Sequence, residues 1–129
     1  MPVIQPDTSA AQSMEAIEPG TYFAKIISCE FKVSKQGNPM IVPKFDITVD
    51  GKPRSRQSYL VVTGEGAFGF DQLLRACGFQ QLADQYRDPN QPNPPFDTDS
   101  LVGQELNVTI STEIYNGEKR DAIKGYLKA

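Results

Sequence analysis

Residues 105–127 read ELNVTISTEIYNGEKRDAIKGYL. Leu106, Val108 and Ile110 alternate with Asn107, Thr109 and Ser111, which is the period of a strand with one buried face. Asn116-Gly117 is the dipeptide a two-residue hairpin turn favours, because both central positions need φ > 0. Folding the chain about it predicts Ile110 opposite Ile123, Val108 opposite Gly125 and Leu106 opposite Leu127. The aliphatic residues then share one face. Tyr126, Lys124, Arg120, Thr109 and Asn107 fall on the other.

Working towards the N-terminus, the segment before this hairpin changes period. Phe70, Leu73, Leu74 and Cys77 are spaced i, i+3, i+4, i+7, and Gly78 follows where a C-terminal glycine cap belongs. A helix over 68–77 is predicted, with a short second one over 80–87. Four prolines between Asp88 and Asp97 predict an exposed loop. Ser100 to Gly103 reads as a turn of helix leading into the sheet. Ahead of the helix lie three strand-like segments, 21–33, 40–49 and 54–63, rich in β-branched and aromatic residues. A turn at Lys35-Gln36-Gly37-Asn38-Pro39 joins the first two. Asp50-Gly51, a hairpin dipeptide, joins the second and third. Residues 1–19 read as a lead-in outside the core, either unordered or a weak helix in which Ser9 and Gln12 have capping-box spacing. Residues 20–129 form one domain.

Three strands, a helix and two strands is the connectivity of a five-stranded oligonucleotide/oligosaccharide-binding (OB) barrel. The predicted fold is therefore mainly β, with an open α+β sheet as the alternative. The hairpin parity puts Ile41, Phe45, Ile47, Leu60 and Val62 inward and Tyr59 outward. Arg54 and Arg56 share the inward parity, a conflict that a bulge at Pro53 or an overhanging sheet would relieve. An even-length loop around Gly37 puts Tyr22, Ala24 and Ile26 in the core. It also sets Phe31, Lys44 and Tyr59 in one outward row.

The composition excludes several chemistries. The chain has 129 residues, no histidine and two cysteines. Lack of histidine removes the usual general base and most zinc or copper sites. Cys29 and Cys77 have no CxxC spacing and read as buried free thiols of a reducing compartment. No GxxxxGK[ST] loop occurs. Gly64-Glu65-Gly66 with Gly69 fits no dinucleotide fingerprint and reads as a turn before the helix. Asp97-Thr98-Asp99 reads as a helix cap rather than a cation site. Neither a membrane-spanning run nor a secretory leader is visible, so a cytoplasmic location is expected. The reading is of a protein without catalytic activity, cofactor or metal.

The net charge is −3, unlike a generic basic nucleic-acid binder, yet the charge is unevenly spread. Eleven of the thirteen lysines and arginines fall in residues 20–63 and 113–129, the strand segments with their loops. An OB barrel binds on strands two and three and the flanking loops. Those elements carry Lys35, Lys44, Arg54, Arg56, Lys119 and Arg120, with Lys124 beside them. Phe31, Tyr59 and Tyr115 add aromatic faces. Cations tracking phosphates and aromatic rings stacking bases are the two ingredients of single-strand binding. Each residue alone also fits ordinary packing or solvated surface; the cluster is the informative feature.

Several stretches together carry a resemblance: Pro19-Gly20-Thr21-Tyr22, Ser34 to Met40, Leu73 to Gly78, Leu101 to Leu106, Tyr115 to Arg120, and Ile123 to Leu127. In these the sequence resembles a family of small phage and prophage proteins of unknown function, commonly described as single-stranded DNA-binding. The resemblance spans roughly residues 19–128. It implies an OB-like fold and a role in phage DNA replication or recombination inside a bacterial host. The implied partners are single-stranded DNA and replication or recombination proteins. Unlike better-known single-strand binders, the chain has no acidic tail after its last strand. A protein-interaction module using the same face, an accessory or inhibitor protein, is the alternative. The sequence leaves room for a homo-oligomer.

Overall fold

The computed structural model describes residues 3–6 and 16–129, the side chains of Glu65 and Tyr115 excepted. Ser9 and Gln12, expected to cap a helix, lie outside the described residues. The elements are β1 (Gly20–Val33), β2 (Pro39–Val49), β3 (Lys52–Gln57), β4 (Leu60–Val61), α1 (Phe68–Ala76), α2 (Gln80–Arg87), β5 (Glu105–Tyr115) and β6 (Glu118–Lys128). The mainly β expectation holds. One antiparallel sheet in the order β3-β2-β1-β5-β6 curls into a half-barrel, with two short helices.

β3 and β4 are two pieces of one strand. Both pair with β2 in a single unshifted register, Lys44 with Gln57 and Ile41 with Leu60. The interruption falls opposite Pro43, which has no N–H to give to the ladder. Its carbonyl still accepts from the Ser58 N–H at 3.1 Å. Of the two arrangements that would relieve the Arg54–Arg56 parity conflict, the bulge at Pro53 does not occur, because Thr48 pairs with Pro53 in unbroken register.

Both glycine hairpins form as the dipeptides require. Asp50 and Gly51 have φ of 52° and 77°, Asn116 and Gly117 of 51° and 80°. The other turn corrects an expectation. It spans five residues, 34–38, closed by the Ser34 N–H to the Asn38 carbonyl at 2.8 Å. An odd loop reverses parity, so Phe31 pairs with Ile41 instead of lying beside Lys44. Continued unbroken, that register would turn Ile27 inward and Ile26 outward. A bulge at Ile27 restores the core: Ile26 meets Phe45 and Ala24 meets Ile47, all four with no exposed surface.

A second bulge corrects the final hairpin. Ile110 does face Ile123, but the register then slips at Lys124. Val108 faces Tyr126, and Asn107 faces Leu127. Tyr126 is therefore buried rather than on the outer face, and Leu127 is half-exposed. The gain is volume. The Tyr126 ring stacks on Phe45 at 5.7 Å between centroids, filling the inside of the curl.

α1 covers one end of the half-barrel. Phe70, Leu73, Leu74 and Ala76 form its buried stripe, packed against β6 and β4. Complete burial of Leu73 alone contributes about 1.5–3 kcal/mol. The helix ends in a Schellman motif: Phe79 N–H donates to the Leu74 carbonyl at 2.8 Å and Gly78 N–H to Arg75 at 3.3 Å. Gly78, with φ of 90°, adopts the left-handed backbone this needs. Gly64 to Ala67 is the expected turn before the helix, and Asp97 caps a 3-10 turn by accepting from the Asp99 N–H at 2.9 Å. Ile17, expected outside the core, is buried within it.

Candidate nucleic-acid interface

β3 and β6 are the two ends of the sheet path, and no backbone ladder joins them. Side chains bridge the gap. Arg56 on β3 donates through Nε to Asp121 Oδ1 at 2.9 Å and through Nη2 to Oδ2 at 3.0 Å. Ile17 N–H adds a third bond to Asp121 Oδ2 at 2.8 Å. Farther along, the Tyr126 hydroxyl donates to Ser58 Oγ at 2.9 Å. Burial opposes ionisation of Asp121, but the bonds from Arg56 and Ile17 outweigh it and hold its carboxyl below the usual range.

A groove of about 760 Å³ opens along this seam. Lys44, Arg56, Lys119 and Arg120 line it, against the acids Glu118 and Asp121. Ser55 and Gln57 supply polar walls. Lys44 and Gln57 are cross-strand partners on the outer face, whereas Lys119 and Arg120 come from the start of β6, after the Asn116-Gly117 turn. Tyr59 lies just past the groove, 60% exposed, its hydroxyl accepting from Gln57 Nε2 at 3.0 Å. Cations on one side and a held, exposed ring beside them are arranged to meet phosphates and a flat base.

The other expected residues are placed differently. Arg54 faces the interior side of β3 opposite Ile47 and is 7% exposed, so it does not belong to the open surface. Arg56 shares that parity and reaches the groove with its guanidinium held by Asp121. Lys124, the bulge residue, is ion-paired to Glu113. Lys35 sits in the 34–38 turn, away from the groove's lining. Phe31 is 61% exposed but on the concave side with Ile41, so the outward row with Lys44 and Tyr59 does not form. Tyr115 pairs with Glu118 through its backbone; its side chain is outside the description.

A second concavity, of about 740 Å³, lies on the helical side. Phe31 and Phe68 line it, with Phe70, Tyr86 and Phe96 deeper in the same lining. The proline loop forms one wall. It is fastened by the Tyr86 hydroxyl to the Pro94 carbonyl at 2.7 Å and by Gln85 Nε2 to Pro92 at 3.1 Å. Phe96 packs edge-on to Phe70 at 5.4 Å. Arg87 lines it as well, tied to Asp71 at 2.7 Å, while Arg75 holds the same carboxylate at 3.1 Å. Desolvation works against the charged form of Asp71, yet bonds from both arginines keep its pKa lowered.

Residues 4–129 match the sequence profile of a family described as proteins of unknown function, DUF669. The chain belongs to that family. Among curated proteins no match is found. In this DUF669 protein, among the described residues, no helix is long and apolar enough to cross a membrane, and no group of His, Cys, Asp and Glu is placed to hold a metal ion.

Sequence reasoning missed Asp121, Gln57 and Phe68. Asp121 looks like one more charge in a polar hairpin, and its partners lie 65 and 104 residues away. Phe68 was available as a signal. It precedes the apolar stripe of α1 without belonging to it, and a large apolar residue off the stripe stands in water.

Proposed function

We propose that this protein binds single-stranded DNA without strong sequence preference, through the groove at the β3–β6 seam. The observation that carries the reading is the meeting of Lys44, Lys119 and Arg120 in one groove, with the exposed Tyr59 ring beside it. The strand order β3-β2-β1-β5-β6, with the helices between the third and fourth full strands, supports reading the half-barrel as an OB-type barrel opened along one seam. The groove then corresponds to the usual ligand face of such a barrel. Lys44, Lys119 and Arg120 contact phosphates, Tyr59 stacks a base, and Arg56 positions the wall of the groove through Asp121. The sequence resemblance supports a place in phage DNA replication or recombination.

Fluorescence anisotropy with labelled oligo-dT of about 30 nucleotides, long enough for more than one site of OB type, tests this against matched duplex. Tight binding to the single strand is expected, weakening with salt at a log–log slope of about −0.7 per phosphate neutralised. Lys44→Glu and Lys119→Glu each flatten that slope and weaken binding. Tyr59→Ala costs about 1–3 kcal/mol of affinity, the contribution of one stacked base. Absence of binding at low salt and micromolar protein overturns the reading.

A further inference from the structure

We infer that the aromatic pocket on the helical side is a base-binding subsite for the same strand, an inference resting on the single-strand reading. Phe31 and Phe68 line that pocket with 61% and 68% of their surfaces in water. Exposed phenylalanine rings are costly in solvent and offer a flat π-face to a planar ligand. The pocket is not purely apolar. Thr63, Asn93 and Thr98 contribute polar groups, and Arg87 lies among them with its guanidinium held by Asp71 of the same lining. A nucleobase has this same division, apolar faces with hydrogen-bonding edges.

The chain path joins the pocket to the basic groove. Gln57 lines the groove, Tyr59 stands exposed two residues on, and Val62, Thr63 and Gly64 line the pocket. From Gln57 to Thr63 is about 20 Å of extended chain, within reach of a few nucleotides. A strand leaving the cations at the seam passes the Tyr59 ring, crosses the edge at β4 and delivers a base to Phe31 and Phe68. A folded protein partner would use a broader apolar surface than this walled recess; an aromatic peptide is the competing occupant.

The test uses the full chain, oligo-dT, and an abasic oligonucleotide of equal length. Phe68→Ala and Phe31→Ala are both substitutions of mostly exposed side chains, and thermal melts check that each variant is folded. Each is expected to weaken oligo-dT binding at least about fivefold, the lower bound for one lost stack. Neither should change binding to the abasic strand, which has phosphates and no bases. Phe68→Tyr should retain the affinity. Lys119→Glu should weaken binding to both strands. If Phe68→Ala and Phe31→Ala leave oligo-dT affinity unchanged while Lys119→Glu lowers it, the subsite is overturned and the groove stands, and the pocket passes to an aromatic peptide. Equal losses on the two strands also overturn it, since the phenylalanines would then act without a base. If wild-type protein binds neither strand, the functional reading itself fails.

Discussion

Arg56 and Asp121 close a seam that the backbone leaves open, through two near-parallel hydrogen bonds of 2.9 and 3.0 Å between strands not joined by a ladder. The same carboxylate holds the Ile17 N–H, so one side chain ties β3, β6 and the N-terminal segment together. Asp121→Ala therefore removes three bonds and leaves Arg56 without this counter-charge. Breaking a largely buried ion pair from one side should cost about 2–4 kcal/mol. Urea denaturation of the variant checks this. A loss under half a kilocalorie would mean that the sheet is held by its core alone.

Acid should act on the same contact. Asp121 and Asp71 both have folded-state pKa values lowered below the ordinary carboxylate value, although burial pushes each the other way. A lowered folded value means the unfolded chain takes up protons first as pH falls. The stabilisation is therefore complete at neutral pH, starts to fall as pH drops through the unfolded value of about 4, and is gone below the folded values. Urea midpoints between neutral pH and pH 3 should stay flat and then decline. Asp121→Asn should lower the neutral plateau and make the acid decline shallower. An unchanged slope in that variant would assign the acid sensitivity elsewhere.

The legible parts of the fold were those with a local cause. Asp50-Gly51 and Asn116-Gly117 need left-handed backbone at both positions, and the sequence advertises it. The α1 stripe and its Gly78 cap lie within one helix. The bulges at Ile27 and Lys124 have no such mark, since a one-residue slip is defined only against the partner strand. The slip at Lys124 moved Tyr126 to the opposite face, and the odd 34–38 loop did the same to Phe31. The groove's lysines could be gathered from topology, because topology sets which loops converge. Parity already turned Arg54 inward, and it stayed among the candidates only because a bulge or an overhanging sheet was expected to release it; the unbroken register keeps it inside.

Tyr126 gives a prediction that separates ring from hydroxyl. Its ring stacks on Phe45 inside the curl, and its hydroxyl reaches Ser58 at 2.9 Å across the seam. Tyr126→Phe keeps the ring and should cost about 1 kcal/mol, the net worth of one hydrogen bond. Tyr126→Ala empties the space and should cost about 3–5 kcal/mol. Thermal melts of the pair read the ratio. Equal losses would mean that the hydroxyl bond, not the packed ring, holds this part of the seam.

The two thiols should be inert in the folded protein. Cys29 is buried, and desolvation, helped by the negative charges of Asp99 and Glu30, pushes its pKa to about 11. Cys77, at the end of α1, is pushed to about 12 by desolvation. The thiolate is the reactive species, so at pH 8 neither sulfur carries an appreciable fraction of it. Both effects vanish on unfolding, when each thiol returns towards its ordinary value near 8.5. An aromatic disulfide reagent should thus label the native protein slowly, at a rate set by opening of the structure, and label both thiols at once in denaturant. Leu74→Ala, which loosens α1 against the sheet, should speed native labelling of Cys77 more than that of Cys29. Rapid labelling of the untreated wild-type protein would contradict the burial of Cys29 and the desolvation of the half-buried Cys77.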